Sequence, residues 1–228
     1  MDVSYFIQTI LQLIPVFFDA LRILILSILF GTLLGIVVAK QKLSGKRALL
    51  RIGEGYTTFI RCVPSIVLLY VVYYGLPKVF WLVGVDTTNW DRSVYIIIAF
   101  ALFCGASLSE VFRSSYLSID RGQREAGISV GMTEGQTFFR VMLPQMVRTI
   151  LPPLGNSVIA VLNESSLGFA IGYMDILGRA KLIGNQTYGA KNVEIYFAAG
   201  VLYWVASIAI GRCIYLLEKR SHRKFIFS

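Results

Sequence analysis

The sequence predicts an all-α membrane protein with five transmembrane helices, its N-terminus outside and its C-terminus in the cytoplasm. Three observations carry that prediction. The 228-residue chain is 56% hydrophobic and only 15% charged, against an apolar share of roughly 45–50% in soluble domains. Its apolar residues gather into five long runs, and its Lys and Arg residues gather between alternate runs.

A helix needs ~20 apolar residues to cross the hydrocarbon core, with a lower limit near ~17. Lipid offers the backbone no hydrogen-bond partner, so each run of that length must be helical. The first run covers residues 23–39. The second, 55–77, is interrupted only by Arg61, and the third is 93–109. The fourth, 149–174, is interrupted only by Glu164 and is expected to span with its first two thirds; the fifth is 195–211. The first run leads straight into this polytopic pattern without a small-residue cleavage site, so it is expected to stay in the protein.

Direction follows from the cations, which favour cytoplasmic loops. Lys40, Lys42, Lys46, Arg47 and Arg51 follow the first span. Arg113, Arg121, Arg124, Arg140 and Arg148 lie between the third and fourth, and Arg212, Lys219, Arg220, Arg223 and Lys224 follow the fifth. These are fifteen of the twenty-two cationic residues; Arg22, Lys78, Arg92, Arg179, Lys181 and Lys191 fall on the other side. The formal charge of +9 therefore reads as an orientation signal, and the lack of a basic stripe interleaved with aromatics argues against nucleic acid. Cys62, Cys104 and Cys213 have neither paired spacing nor a CxxC and read as buried thiols, so neither a metal site nor a disulfide is expected.

The longest polar connection lies between spans three and four, where function is expected to concentrate. From Ser118 to Pro144 its punctuation predicts two short helices about a turn. Asp120 caps the first, Gly131 supplies the left-handed residue that ends it, and Thr133 with Gln136 forms a capping box that starts the second.

Glu125-Ala126-Gly127, Gly131 and Leu143-Pro144 resemble the EAA loop of bacterial ABC importer permeases. The resemblance continues through Phe59-Ile-Arg-Cys-Val-Pro64, Leu151-Pro-Pro-Leu-Gly-Asn156 and Leu162-Asn-Glu-Ser-Ser-Leu167. Together these segments are similar to the polar amino acid uptake branch, over nearly the whole chain. The resemblance implies a single permease domain over residues 1–228 in the bacterial cell membrane, with a cytoplasmic coupling helix that fits a cleft on a separate ABC ATPase subunit. Glu125 would be its polar contact, with Ala126 and Gly127 beside it and Gly131 as the turn. Gly127 departs from the family, which usually has a second alanine there; glycine costs roughly 1 kcal/mol of helix propensity, which puts the start of that helix in question. The resemblance also implies a second permease subunit, a copy or a homologue, and an extracytoplasmic solute-binding protein docking on residues 78–92 and 175–193.

A charge in the bilayer interior costs at least ~2.5–3.5 kcal/mol and normally faces a cavity or a partner. Arg61 stands three residues before Pro64 and has the fork to hold a substrate carboxylate. Glu164, with Asn163, Ser165 and Ser166 beside it, has the charge to hold an ammonium, and the resemblance favours this role. The alternative is that Arg61 and Glu164 pair with each other or with a neighbouring subunit. Asp19 with Arg22, and Glu110 with Arg113, are spaced i,i+3 and read as structural pairs. No GxxxxGK[ST] loop exists: five residues before Gly45 is Lys40, and Arg47 follows Lys46, so the chain itself is not expected to hydrolyse ATP or hold a cofactor. A membrane-embedded enzyme would need clustered His, Asp or Glu at one interface, and a secondary transporter an inverted repeat; neither pattern is evident.

Overall fold

The computed structural model describes residues 2–223; Lys224, one of the cations used for orientation, lies outside them. Among the described residues there is no strand, and four helices are long and apolar enough to cross a membrane. The count is five if the segment 134–171 and the helix 176–186, bent 51° from each other, are taken together as one span.

Helix α1 runs from Val3 to Leu43, roughly 60 Å at ~1.5 Å per residue, so the expected span 23–39 is only its C-terminal part. Asp2 caps it by accepting from the Tyr5 amide, and the interior Pro15 is tolerated as prolines are in membrane helices. Asp19 and Arg22 form the expected pair on it, at 4.0 Å. Gly31 and Gly35 place α1 directly on α4 (Arg92–Leu117). A Cβ at Gly31 would stand 2.8 Å from Cys104 Cβ, and one at Gly35 3.1 Å from Leu108 Cβ. This is the GxxxG device of membrane helices, in which small residues let two backbones approach. The core built around the α1–α4 contact includes Ile23, Leu24, Ile96, Phe100, Leu108 and Val161.

The second run does not form one continuous helix. It divides into α2 (Arg47–Cys62) and α3 (Ser65–Leu82). Val63 is extended at φ −87°, ψ 130°, because the ring of a following proline disfavours the helical conformation. The segment 175–193, expected as an outer loop, instead contains α8 (Ile176–Gln186). Its Ile176, Ala180 and Ile183 pack with Leu13 and Ala20 of α1 and Ile195 and Ala198 of α9 (Asn192–Arg223). Lys191 and Glu194 hold the chain's beginning to this side, bonding the Asp2 carboxylate at 3.1 Å and the Asp2 amide at 3.1 Å.

Of the three cysteines only Cys104 is buried; Cys62 and Cys213 are exposed on the protein surface. An apolar run marks a helix that avoids water, but the outward face of a spanning helix meets lipid or another subunit rather than its own core.

Lys42 is a second correction. It is not a loop cation but sits in the last turn of α1 with its side chain only 1% exposed. Its Nζ donates to Thr57 Oγ1 of α2 at 2.7 Å and forms an ion pair with Glu110 of α4. Glu110 also accepts from Arg113 Nε at 3.0 Å, the expected i,i+3 pair. A buried lysine thus ties α1 to α2 through the Thr57 hydroxyl and to α4 through the Glu110 carboxylate.

Candidate functional site

The connection after α4 folds as its punctuation predicts. Helix α5 (Arg121–Ser129) begins at Asp120, whose carboxylate accepts from the Gly122 amide at 2.6 Å. It ends in a Schellman turn: Met132 N donates to Gly127 O at 3.1 Å and Gly131 N to Ile128 O at 3.0 Å, with Gly131 at φ +83°. That is the glycine position the motif requires. The four-residue α6 (Glu134–Thr137) opens on the predicted capping box of Thr133 and Gln136. An ion pair between Arg124 and Glu134 closes α5 on α6.

Glu125 and Ala126 are exposed on α5, and the Glu125 carboxylate has no partner among the described residues, while Gly127 is buried. The concern that Gly127 weakens the helix start gives way to a packing reason for it. A Cβ there would stand 2.6 Å from Thr137 Cγ2 and 2.8 Å from its Oγ1. Thr137 cannot turn aside, since it is fully buried and its hydroxyl donates to Thr133 O at 3.0 Å. Gly127→Ala should therefore loosen α5 from α6 although alanine is the better helix former by roughly 1 kcal/mol. Thr137→Ala should restore the packing. Proteolysis of the 118–144 segment measures this; equal protection of Gly127→Ala and the unaltered protein would contradict it.

A π-helical turn, Phe138–Met142, joins α6 to α7 (Leu143–Glu164). Its wider winding, with Leu143 N donating to Phe138 O, suits the arrival of Pro144, whose ring clashes with the carbonyl four residues back in a regular helix.

Glu164 is the last residue of α7. After it the chain tightens into a 3₁₀ helix, Ser165–Ile171, which stops at Gly172 (φ +75°). Arg92 of α4 donates to the Gly172 carbonyl and fixes this turn. Asp175 then caps α8, accepting from Gly178 N at 2.6 Å. Glu164 is half-buried and makes no side-chain hydrogen bond or ion pair among the described residues; Asn163 beside it is exposed. Ser165 is placed differently from both: it is buried, and its hydroxyl donates to Leu162 O at 2.6 Å. Ser166 likewise donates to Asn163 O at 2.7 Å. Both serines turn back onto their own helix, which helps bend it. Arg61 is exposed in the last turn of α2, just before the break at Val63, and no hydrogen bond or ion pair joins it to Glu164 among the described residues. The structure therefore does not pair Arg61 with Glu164 within the chain.

Sequence reasoning missed the roles of Lys42 and Thr57. Lys42 falls in a cationic stretch that reads as solvated. The signal that could have found it is helical phase, for Gly31, Gly35, Val38 and Lys42 share one stripe of α1 at spacings of three and four.

The family described as binding-protein-dependent transport system inner membrane component matches residues 31–223. The chain belongs to that family. It is an ABC transporter permease subunit, a multi-pass membrane protein and not itself an enzyme; ATP hydrolysis belongs to a separate subunit. This permease is 34% identical to the L-cystine transport system permease protein of Bacillus subtilis, over 94% of this chain and 88% of that one. It is 35% identical to the histidine/lysine/arginine/ornithine transport system permease protein of Salmonella typhimurium, over 88% and 89%. Its fold matches a crystal structure of an amino acid ABC transporter with histidines at a TM-score of 0.82 and 27% identity, covering 96% of this permease and 99% of that chain. Family membership implies an ATPase and a binding protein as partners in general.

Proposed function

We propose that this permease, as one domain over residues 1–228, forms half of the pathway by which a polar amino acid enters the cell. The carrying observation is Glu164: a carboxylate without a partner in its own chain, half-buried where a spanning helix departs from α-helical winding. A charge at such a place normally answers a cavity, an ion or a substrate. The relatives quoted above are named for cystine, histidine, lysine, arginine and ornithine, all of which bear an α-ammonium and an α-carboxylate. Glu164 takes the ammonium or a basic side chain, and Arg61 takes the carboxylate from the mouth of the α2–α3 break. Asn163 adds hydrogen bonds, and Ser165 contributes by holding the turn. Exposed Asn156 and Asn163, seven residues apart on one face of α7, support the view that this face meets the pathway and not lipid.

In this reading Glu125, Ala126, Gly127 and Gly131 build the coupling helix that docks on the ATPase, with the N-terminus outside. A second permease subunit, a copy or a homologue, closes the pathway, and the binding protein docks on the outer connection 83–91 and the turn after α8. Vesicles reconstituted with the whole transporter should take up labelled polar amino acids only when ATP and binding protein are supplied. Uptake of none of a panel of neutral and basic amino acids would sink the substrate class. A cysteine at Ser44 in the same vesicles should react with an impermeant thiol reagent only from the ATPase side; reaction from the other side would reverse the orientation.

A further inference from the structure

Apart from the Glu164 turn, the strongest polar constellation is a cavity of about 310 Å³ where α1, α2 and α4 come together, lined by Lys42 and Leu43, by Leu50 and Glu54, and by Glu110 and Arg113. That volume is at the lower end for small-molecule sites, ~300–1,000 Å³. It lies at the C-terminal ends of α1 and α4, on the side from which α4 passes through Ser118 to Asp120 into the coupling helix.

The cluster leaves bonding capacity unspent, and of both signs. Lys42 is buried and uses two of its three N–H donors, on Thr57 and Glu110. Arg113 spends Nε on Glu110 at 3.0 Å, while its two terminal guanidinium nitrogens have no partner among the described residues. The exposed Glu54 carboxylate has none either. Lys42, Arg113, Glu110 and Glu54 sum to zero charge, so the cavity has no net attraction for a free anion. It offers fork donors for an oxyanion and, across the same space, a carboxylate acceptor for an amine. Leu43 and Leu50 give one side of it an apolar border.

We infer that the Lys42–Glu110–Arg113–Glu54 cavity is a binding site for a small zwitterion that carries an oxyanion and a primary ammonium, separate from the Glu164 turn. The oxyanion lies on Arg113 and the remaining Lys42 donor, and the ammonium on Glu54. Two sources share this chemistry: a phosphatidylethanolamine headgroup at the membrane surface, or a free amino acid from the water on that side. Naming that water cytosol rests on the orientation proposed above; the binding chemistry does not. Occupancy would add a bridge across α1, α2 and α4, and so stabilise the arrangement from which the coupling helix is hung.

The test uses the assembled transporter in nanodiscs of phosphatidylcholine and phosphatidylglycerol, with phosphatidylethanolamine either present or replaced, and separately with millimolar L-alanine. Phosphatidylcholine is the control because its trimethylammonium has no N–H to give Glu54. Two quantities are read: the unfolding midpoint, and the phosphatidylethanolamine retained per permease by native mass spectrometry. Glu54→Gln should fold normally, since Glu54 is exposed and unpartnered, and its midpoint in phosphatidylcholine discs without L-alanine should equal that of the unaltered protein. A lipid source predicts a higher midpoint and retained phosphatidylethanolamine, with retention about tenfold weaker in Glu54→Gln, the worth of one charge-assisted hydrogen bond. A free source predicts stabilisation by L-alanine without phosphatidylethanolamine, lost in Glu54→Gln. Arg113→Lys keeps the charge beside Glu110 but loses the fork, and should weaken whichever ligand binds. If Glu54→Gln and the unaltered protein respond alike in both arms, or neither ligand has an effect, the site is overturned. Stabilisation by L-alanine that Glu164→Gln removes and Glu54→Gln leaves intact would belong to the Glu164 turn and count against this site, so failure of the substrate reading and failure of this one are told apart.

Discussion

Glu164→Gln is expected to cut amino acid uptake by at least about thirtyfold while leaving the amount of inserted protein and its unfolding midpoint unchanged. Losing one member of a desolvated charge pair costs ~2–5 kcal/mol, much of it from the charge left unanswered; the lower end is roughly thirtyfold in kcat/KM. Here the group left unanswered is the ammonium of the substrate. Within its own chain Glu164 makes no side-chain hydrogen bond or ion pair among the described residues, so folding loses nothing when the carboxylate becomes an amide of the same shape. Basic amino acids should suffer more than neutral ones, because they bring a second positive charge. Uptake in reconstituted vesicles checks this. An unaltered rate and an unaltered preference between basic and neutral substrates would show the carboxylate to be dispensable.

The second large effect is on stability. Glu110→Gln removes the carboxylate that neutralises Lys42, whose side chain is 1% exposed. Breaking a buried pair from one side typically costs about 3–5 kcal/mol, which for a chain of this size lowers the unfolding midpoint by roughly 10 °C. The double variant Lys42→Met, Glu110→Gln should recover most of that loss, since replacing both ions by groups of similar volume is often neutral. Thermal unfolding in detergent distinguishes the cases. A single variant within about 2 °C of the unaltered protein, a small fraction of that shift, would mean that Lys42 reaches water and that the three helices do not depend on it.

Much of the helix–turn–helix between α4 and α7 was legible because its signals are local. Asp120, Gly131 and the Thr133–Gln136 box each act within a few residues on backbone groups whose positions the chain itself dictates. What escaped there was Gly127: helix propensity argues against a glycine, and only the position of Thr137, ten residues on and across a turn, supplies the reason for it. At the Glu164 turn the charge and its neighbours could be singled out from composition. Which side chain faces outward was decided by the fold, which leaves Asn163 exposed near the end of α7 and buries Ser165 at the start of the 3₁₀ helix.

By itself the sequence determined what depends on transfer from water and on bonds between near neighbours. It determined that the chain crosses a membrane as helices, where the helix–turn–helix after α4 begins and turns, and which charges stand inside apolar runs. The tertiary structure decided what depends on residues far apart in the chain. It made Lys42 a buried tie among three helices, let Gly31 and Gly35 bring α1 onto α4, and made helix α8 of a segment that reads as an outer loop. It also left Arg61 and Glu164 without an ion pair to each other. The physical reason is that hydropathy is a sum over consecutive residues and capping acts within about four of them. A buried charge, a glycine contact or an ion pair is defined by its partner, and Glu110 stands sixty-eight residues from Lys42.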